Sequence, residues 1–238
     1  MMNYKYILLD ADDTLLDFAA AERAAFFHTL ARFSPEGDYE PCALYSLYHR
    51  VNDELWKALE RGETTREKLK IERFSRVFRE SGVLSETNAP SFAAEYMISL
   101  SHEGMLVPGA LETCKKLAQK YRLYIVTNGT SSVQHGRLDN SPLAPYLSGL
   151  FISEDIGKNK PSPEFFDFVL RSVGDSDRSH YVVVGDSVTS DIGGAEASGL
   201  DSVLVTRGRE YPPCSATYTV KSISDILNIF LAEECCDA

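Results

Sequence analysis

The spacing of hydrophobic residues changes twice along the chain. A short apolar run, Tyr6-Ile7-Leu8-Leu9, comes first, stops at an acidic stretch and predicts a buried strand. From about Phe18 to His102 the apolar residues recur at helical spacing, and no strand pattern interrupts them. After Pro108-Gly109 short apolar runs alternate again with helical segments. The pattern therefore predicts a sheet-forming core that is interrupted by a helical insertion.

The segment without strands predicts four helices. They cover residues 20–33, 42–60, 64–79 and 89–101, and Thr64 with Glu67 offers a capping box for the third. The segment is too long for a loop and too uniformly helical to belong to the sheet. We interpret residues 17–106 as an inserted helical cap, and residues 1–16 with 107–238 as the core.

The remainder of the chain alternates strands with helices. The predicted strands are residues 123–126, 150–152, 181–184 and 202–205, and Ser162-Pro163 starts a helix that continues to Val173. Such alternation indicates a parallel sheet with helices on both faces. The predicted fold class is α/β, with a Rossmann-like parallel sheet core and an inserted helical cap domain.

Composition narrows the class of protein. The 238 residues are 44% hydrophobic and 25% charged, which is typical of a globular protein. No apolar run approaches the roughly 18 residues of a membrane helix, and no signal-peptide core follows Met1, so we expect a cytoplasmic protein without membrane contact. A net charge of −11 disfavours binding to a nucleic acid polymer. It would also repel an anionic substrate, so a local cation is needed.

The cysteines indicate neither a disulfide framework nor a zinc site. Their number is odd, no CxxC pair occurs, and the adjacent pair near the C-terminus lies in a predicted frayed tail. The five are Cys42, Cys114, Cys214, Cys235 and Cys236.

Polar residues cluster where the predicted strands end, which is the usual place for a site in an open α/β sheet. Asp10 and Asp12 are two apart at the end of a strand, so both carboxylates can address one reacting centre. The other groups are Thr127-Asn128-Gly129, Lys160, and Asp186 with Asp191. Thr127 can donate a hydroxyl, and Asn128-Gly129 can present backbone N–H groups to phosphate oxygens.

Several carboxylates around one phosphate group require a cation. Each like-charge pair near 4 Å costs about 4 kcal/mol at an effective dielectric of about 20. Mg²⁺ prefers carboxylate and phosphate oxygens, and Lys160 supplies a second positive charge. Phosphate-monoester hydrolysis is among the slowest uncatalysed reactions and needs such concentrated charge stabilisation.

Four motifs in this order resemble those of the haloacid dehalogenase superfamily. They are Asp10-Ala11-Asp12-Asp13-Thr14, Thr127-Asn128-Gly129, Lys160-Pro161 and Gly185-Asp186-Ser187-Val188-Thr189-Ser190-Asp191. The resemblance covers nearly the whole chain, and the insertion after the first motif resembles the helical cap of that family. Halide-removing members lack the second aspartate of the first motif, so Asp12 favours phosphate chemistry.

The resemblance implies a role for each matching residue. Asp10 would attack phosphorus and form an aspartyl-phosphate, and Asp12 would act as general acid and then general base. Thr127 and Lys160 would hold the phosphoryl group of a small phosphorylated metabolite. The Mg²⁺ ligands would be the Asp10 carboxylate, the Asp12 backbone carbonyl and Asp186. Asp191 would lie next to these ligands, or it would contact the ion only through one of them.

Further stretches resemble the branch that acts on noncanonical and other pyrimidine nucleoside monophosphates. They are residues 52–56 leading to Gly62, Gln134-His135-Gly136-Arg137-Leu138, and residues 185–191. Residues 204–208 depart from the aromatic pattern of that branch, so a sugar-phosphate or phosphoglycolate phosphatase stays open as an alternative. A phosphomutase and a catalytically silent regulatory module are the remaining alternatives.

Three further residues allow a structural or a functional interpretation. Asp13 is interpreted as a turn residue that faces away from the metal. Phe18 and Trp56 are candidates for contact with a base or sugar, although packing is the default role of each.

Overall fold

The computed structural model describes residues 3–34 and 39–231 of the chain. The chain divides into two compact units, one with the residues up to Phe18 and from Gly104 onward, the other with Ala19–Glu103. The roles of core and cap that the sequence suggests for such units stay predictions. Within the described residues no helix combines the length and apolarity needed to cross a membrane. Cys235 and Cys236 lie outside the described residues.

A six-stranded parallel sheet is the centre of the first unit, counted over the described residues. The strands are β1 (Tyr6–Leu9), β2 (Arg122–Thr127), β3 (Gly149–Ile152), β4 (Tyr181–Gly185), β5 (Asp201–Val205) and β6 (Tyr218–Val220). Their order across the sheet is β3-β2-β1-β4-β5-β6, and every neighbouring pair is parallel. Strands β2 and β3 therefore extend the sheet on one side of β1, and β4, β5 and β6 extend it on the other. This reversal of direction places the topological switch point beside β1.

Helices are found in both units, and residues 188–192 form one wide helical turn. The helices are α1 (Phe18–Phe33), α2 (Pro41–Glu60), α3 (Arg66–Ser81), α4 (Ala89–Ser101), α5 (Ala110–Leu117), α6 (Ser131–Asp139), α7 (Ser153–Ile156), α8 (Pro163–Val173), α9 (Gly193–Ala197) and α10 (Leu227–Phe230). The predicted fold class, a Rossmann-like parallel sheet with an inserted helical segment, is confirmed.

Alternate residues of each central strand pack on opposite faces of the sheet. On β1, Ile7 and Leu9 belong to one buried cluster, which also contains residues of α5 and α10. Leu8 belongs to the other cluster, with Phe165 and Val169 of α8. All three β1 residues are fully buried, and each large apolar side chain that leaves water contributes roughly 1.5–3 kcal/mol. Helices on both faces therefore fix β1 and the residues that follow it.

One local prediction was wrong, and one strand was missed. The N-cap of α3 is Thr65 and not Thr64, and its hydroxyl accepts from the backbone N–H of Lys68 at 3.4 Å. The strand Tyr218–Val220 was not predicted, because three residues with a polar one at the centre carry no readable apolar run. It pairs with β5 at the edge of the sheet.

The second unit has an aromatic core with a charged network inside it. Tyr48, Phe74 and Tyr96 are fully buried, and the rings of Tyr48 and Phe74 are stacked with centroids 5.5 Å apart. The carboxylate of Glu22 accepts hydrogen bonds from the Tyr48 hydroxyl at 3.0 Å and from the Asn52 amide at 3.1 Å. The unit thus combines apolar packing with a buried acid whose oxygens are hydrogen-bonded.

Candidate active site

The residues after β1 and β4 lie side by side at the carboxyl edge of the sheet. The two strands are paired, and the backbone N–H of Asp10 donates to the carbonyl of Val184 at 2.8 Å. This hydrogen bond extends the pairing by one residue, so the position of Asp10 is set by the sheet and not by a loop. Asp186 follows β4 by one residue.

Lys160 connects two of the acidic residues. Its buried Nζ donates to Asp10 Oδ1 at 2.7 Å, to Asp191 Oδ1 at 2.6 Å and to the Val126 carbonyl at 2.9 Å. These three bonds use all three donors of an ammonium group. Burial lowers the pKa of Lys160, but the charges of Asp10 and Asp191 raise the pKa by more than burial lowers it. The pKa of Lys160 therefore lies above its ordinary value. Lys160 is therefore a fixed positive charge.

The second motif supports Lys160. The side-chain amide of Asn128 donates to the Lys160 carbonyl and accepts from the Lys160 N–H, both at 2.9 Å. The hydroxyl of buried Thr127 accepts from the backbone N–H of Gly129 at 3.0 Å. Asn128 and Thr127 were predicted to bind substrate; the structure places both at the end of β2, next to β1, and engages the Asn128 side chain with the backbone of Lys160.

A metal could be held by three carboxylates. Oxygens of Asp10, Asp186 and Asp191 all lie within 4.8 Å of one another. Burial raises the pKa of Asp10 well above its ordinary value, with Lys160 opposing the shift. Burial, and then the charge of Asp191, raises the pKa of Asp186 to about 7. A cluster of hard oxygen donors that is short of positive charge fits a divalent cation such as Mg²⁺.

Asp191 has little freedom within this cluster. It is fully buried, and its Oδ2 accepts from the backbone N–H of Ser187 at 3.1 Å. A Cβ atom added at Gly185 would lie 2.2 Å from the same oxygen. The fourth motif thus leaves room at the end of β4 for the Asp191 carboxylate, and a side chain at position 185 would fill this space.

Asp12 lies apart from the three converging carboxylates. Its Oδ2 accepts from Gln134 Nε2 at 2.7 Å, and its Oδ1 pairs with Arg137 Nη1. Both partners are on α6 and are buried, and the Arg137 guanidinium lies 5.5 Å from the centre of the Phe18 ring. The predicted contact of Asp12 with a metal runs through its backbone carbonyl and stays a prediction.

Sequence reasoning had not assigned a site role to Gln134 or Arg137. The segment that contains them was noted only as a resemblance, and its spacing carries a signal: residues three apart on one helix lie on the same face. This spacing shows that the two side chains share a face of the helix that follows the second motif, but it does not show what that face contacts.

A loop after β5 brings arginines to the acidic edge. Arg207 Nη1 pairs with Asp13 Oδ1, and Arg209 Nη1 lies 3.7 Å from Asp186 Oδ2. The positive charges of this loop therefore offset part of the negative charge of Asp13 and Asp186. These arginines were also missed; the signal available was two arginines directly after a predicted strand.

Trp56, a candidate for contact with a base or sugar, is half-buried in the second unit.

Comparisons of the sequence and of the structure with known proteins agree on one protein family. The sequence profile of haloacid dehalogenase-like hydrolases matches residues 4–199. The HAD-hydrolase YfnB of Bacillus subtilis (strain 168) is 33% identical over 98% of each chain. A crystal structure of YfnB bound to magnesium aligns with a TM-score of 0.87 at 32% identity, and covers 95% of this chain and 98% of that chain.

Two further relatives carry a substrate class in their names. The pyrimidine 5'-nucleotidase PynA of Streptococcus pneumoniae (strain ATCC BAA-255 / R6) is 34% identical over 95% of each chain. The pyrimidine 5'-nucleotidase YjjG of Escherichia coli (strain K12) is 31% identical, and the match covers 94% of this chain and 97% of that one.

Proposed function

Because the chain belongs to the haloacid dehalogenase-like hydrolase family and is a phosphatase of that family, we propose that it hydrolyses pyrimidine nucleoside 5'-monophosphates with Mg²⁺ through an aspartyl-phosphate on Asp10. The observation that carries this proposal is the charge arrangement around Asp10. One buried lysine bridges Asp10 and Asp191, and Asp186 completes a cluster that still lacks positive charge. Such a cluster can accept a cation and a phosphate group together.

The proposed nucleophile is oriented before substrate arrives. Lys160 engages Oδ1 of Asp10, so the other carboxylate oxygen attacks phosphorus. The phosphorus–oxygen bond to the leaving group breaks as the new bond to Asp10 forms, and Asp12 gives its proton to the leaving oxygen. Asp12 then takes a proton from a water molecule that attacks phosphorus, and this step releases phosphate and restores Asp10.

The remaining residues hold charge in place. Asp10, Asp186 and Asp191, with the backbone carbonyl of Asp12, would hold Mg²⁺, which when bound neutralises phosphoryl oxygens. Lys160 opposes the repulsion between Asp10 and the phosphate group. Asn128 binds both the backbone N–H and the backbone carbonyl of Lys160, so the ammonium group keeps its position during the reaction.

The choice of pyrimidine nucleotides is supported by the relatives. PynA and YjjG match nearly the full chain and are named for this activity. Gln134 and Arg137, in a segment that resembles the same branch, lie directly on the proposed general acid. A small phosphorylated metabolite is the substrate class common to these observations.

The test is a substrate comparison with purified protein. Phosphate release from UMP, dTMP, AMP, phosphoglycolate and hexose phosphates is measured with Mg²⁺ and again with EDTA. We expect UMP and dTMP to rank first, with no turnover in EDTA. Asp10→Asn should be inactive, whereas Asp155→Asn, at an exposed position on α7, should match the wild type.

Two outcomes would separate the parts of the proposal. A clear preference for phosphoglycolate or a hexose phosphate would contradict the nucleotidase assignment and leave the Asp10 chemistry intact. Full activity in EDTA, or turnover by Asp10→Asn, would contradict the mechanism itself.

A further inference from the structure

Both carboxylate oxygens of Asp12 are engaged by one helix. Arg137 Nη1 donates to Oδ1, and Gln134 Nε2 donates to Oδ2 at 2.7 Å. The two donors are chemically different: a guanidinium is always charged and only donates, whereas a primary amide can donate through nitrogen or accept through oxygen. The two oxygens of the proposed general acid therefore have unequal surroundings.

The position of Arg137 is difficult to explain by packing alone. The residue is fully buried, and the burial of an uncompensated guanidinium is strongly unfavourable. Its ion pair with Asp12 compensates the positive charge of the guanidinium. The Asp12 carboxylate is itself partly exposed, with 29% of the side chain accessible. The protein thus buries the cation completely and leaves the carboxylate accessible, which is the arrangement expected where the acid must meet a ligand.

Gln134 is fitted to the same carboxylate. Its side chain is 2% exposed, and a Cβ atom at Gly129 would lie 2.2 Å from its Nε2. Gly129 therefore leaves the space that the amide occupies. Within the described part of the chain, Gln134 Oε1 is buried and has no hydrogen-bond partner. The hydrogen bond to Asp12 is therefore the contact that fixes the orientation of this amide group.

We propose that Gln134 and Arg137 are positioning residues that hold the Asp12 carboxyl group in the orientation that proton transfer to the leaving oxygen requires. Arg137 can only donate to Oδ1, since a guanidinium has no acceptor atom. Gln134 donates to Oδ2, so the two side chains together fix the plane of the Asp12 carboxyl group. The inference rests on the proposed function, because it requires phosphoryl transfer to Asp10.

The test compares two leaving groups. An alkoxide needs a proton as it departs, whereas p-nitrophenolate is stable without one, so a misplaced general acid slows only the first. In Gln134→Met we expect kcat/KM for UMP to fall by about 10- to 100-fold, while kcat/KM for p-nitrophenyl phosphate stays within about threefold. Arg137→Lys should show the same split, and His135→Ala, at an exposed position on the same helix, should change neither value.

A second variant keeps the test informative if Gln134→Met is unstable. Gln134→Leu removes the same hydrogen-bond donor with a side chain of a different shape. It should give the same dependence on the leaving group. Equal losses on both substrates in these variants, or no loss on either, would overturn the inference. Turnover by Asp10→Asn would instead refute the proposed function, so the two failures are distinguishable.

Discussion

Asp13 and Arg207 form an ion pair although both have left-handed backbone conformations, with φ of 61° and 51°. Among the described residues, they alone adopt positive φ without being glycine. The side chains are 22% and 23% exposed, and they join the segment after β1 to the loop after β5. Since a left-handed residue other than glycine costs roughly 1–2 kcal/mol, each contact that fixes these loops matters.

The Asp13–Arg207 pair should therefore contribute to stability. In a double-mutant cycle with Asp13→Asn and Arg207→Gln we expect a coupling of about 1 kcal/mol in the free energy of unfolding, measured by urea denaturation. Asparagine tolerates the left-handed conformation, so the backbone is preserved. The more exposed pair Arg178–Asp167, at 42% and 40%, is the control and should couple by less than about 0.5 kcal/mol. Equal coupling energies for the two pairs would contradict a special contribution of the Asp13–Arg207 ion pair to stability.

Lys160 should be needed for turnover. Lys160→Met removes a charge from two buried carboxylates, and we expect kcat/KM to fall by about 30- to 1,000-fold, the equivalent of roughly 2–4 kcal/mol. Mg²⁺ should raise the unfolding midpoint of this variant more than that of the wild type, because Asp10 and Asp191 then lack their counter-ion. Lys158→Met, at an exposed position, is the control. Activity within a few-fold of wild type would show that Lys160 is a bystander.

Gly185 should be needed for metal binding. A methyl group there would lie 2.2 Å from Asp191 Oδ2, so Gly185→Ala must displace this carboxylate. We expect the Mg²⁺ affinity, measured by titration calorimetry, to fall by about 10- to 100-fold. Gly193→Ala is the control, because its nearest neighbour is a carbonyl oxygen at an ordinary 3.5 Å. Unchanged affinity in Gly185→Ala would remove Asp191 from the metal site.

Glu22 should make the stability of the protein depend on pH. Burial raises the native pKa of Glu22 above 4.5, while hydrogen bonding from Tyr48 and the charge of Arg73 oppose the shift. The unfolded chain then loses its proton first, so stability falls as pH rises from about 4.5 through the native pKa. Glu22→Gln should reduce this fall in urea denaturation over a pH series. The same slope in wild type and variant would contradict this explanation.

The main features of the fold were accessible to sequence reasoning because they depend on local patterns. The apolar run before Asp10 and the alternation after Gly109 predict the parallel sheet, and four motifs in order indicate the family and the phosphatase class, all of which are confirmed. β1 pairs with both β2 and β4, which explains how residues far apart in sequence meet at one edge. The cytoplasmic location stays a prediction.

The missed residues depend on long-range contacts. Gln134 and Arg137 contact Asp12, and Arg207 contacts Asp13, across more than a hundred residues in each case. No local periodicity reports which strand end such a side chain reaches. A buried arginine on a helix and an arginine in a loop look alike in the sequence, and only the three-dimensional structure distinguishes them.

The central claim is that Asp10 accepts the phosphoryl group. The direct measurement uses Asp12→Asn, in which water is no longer activated, mixed with p-nitrophenyl phosphate and Mg²⁺ and then quenched in acid. Mass spectrometry of the peptides should find a hydroxylamine-labile phosphoryl group on Asp10, absent when EDTA is present and absent in the Asp10→Asn, Asp12→Asn double variant. A stoichiometric release of p-nitrophenol without any phosphoryl group on Asp10 would contradict the account.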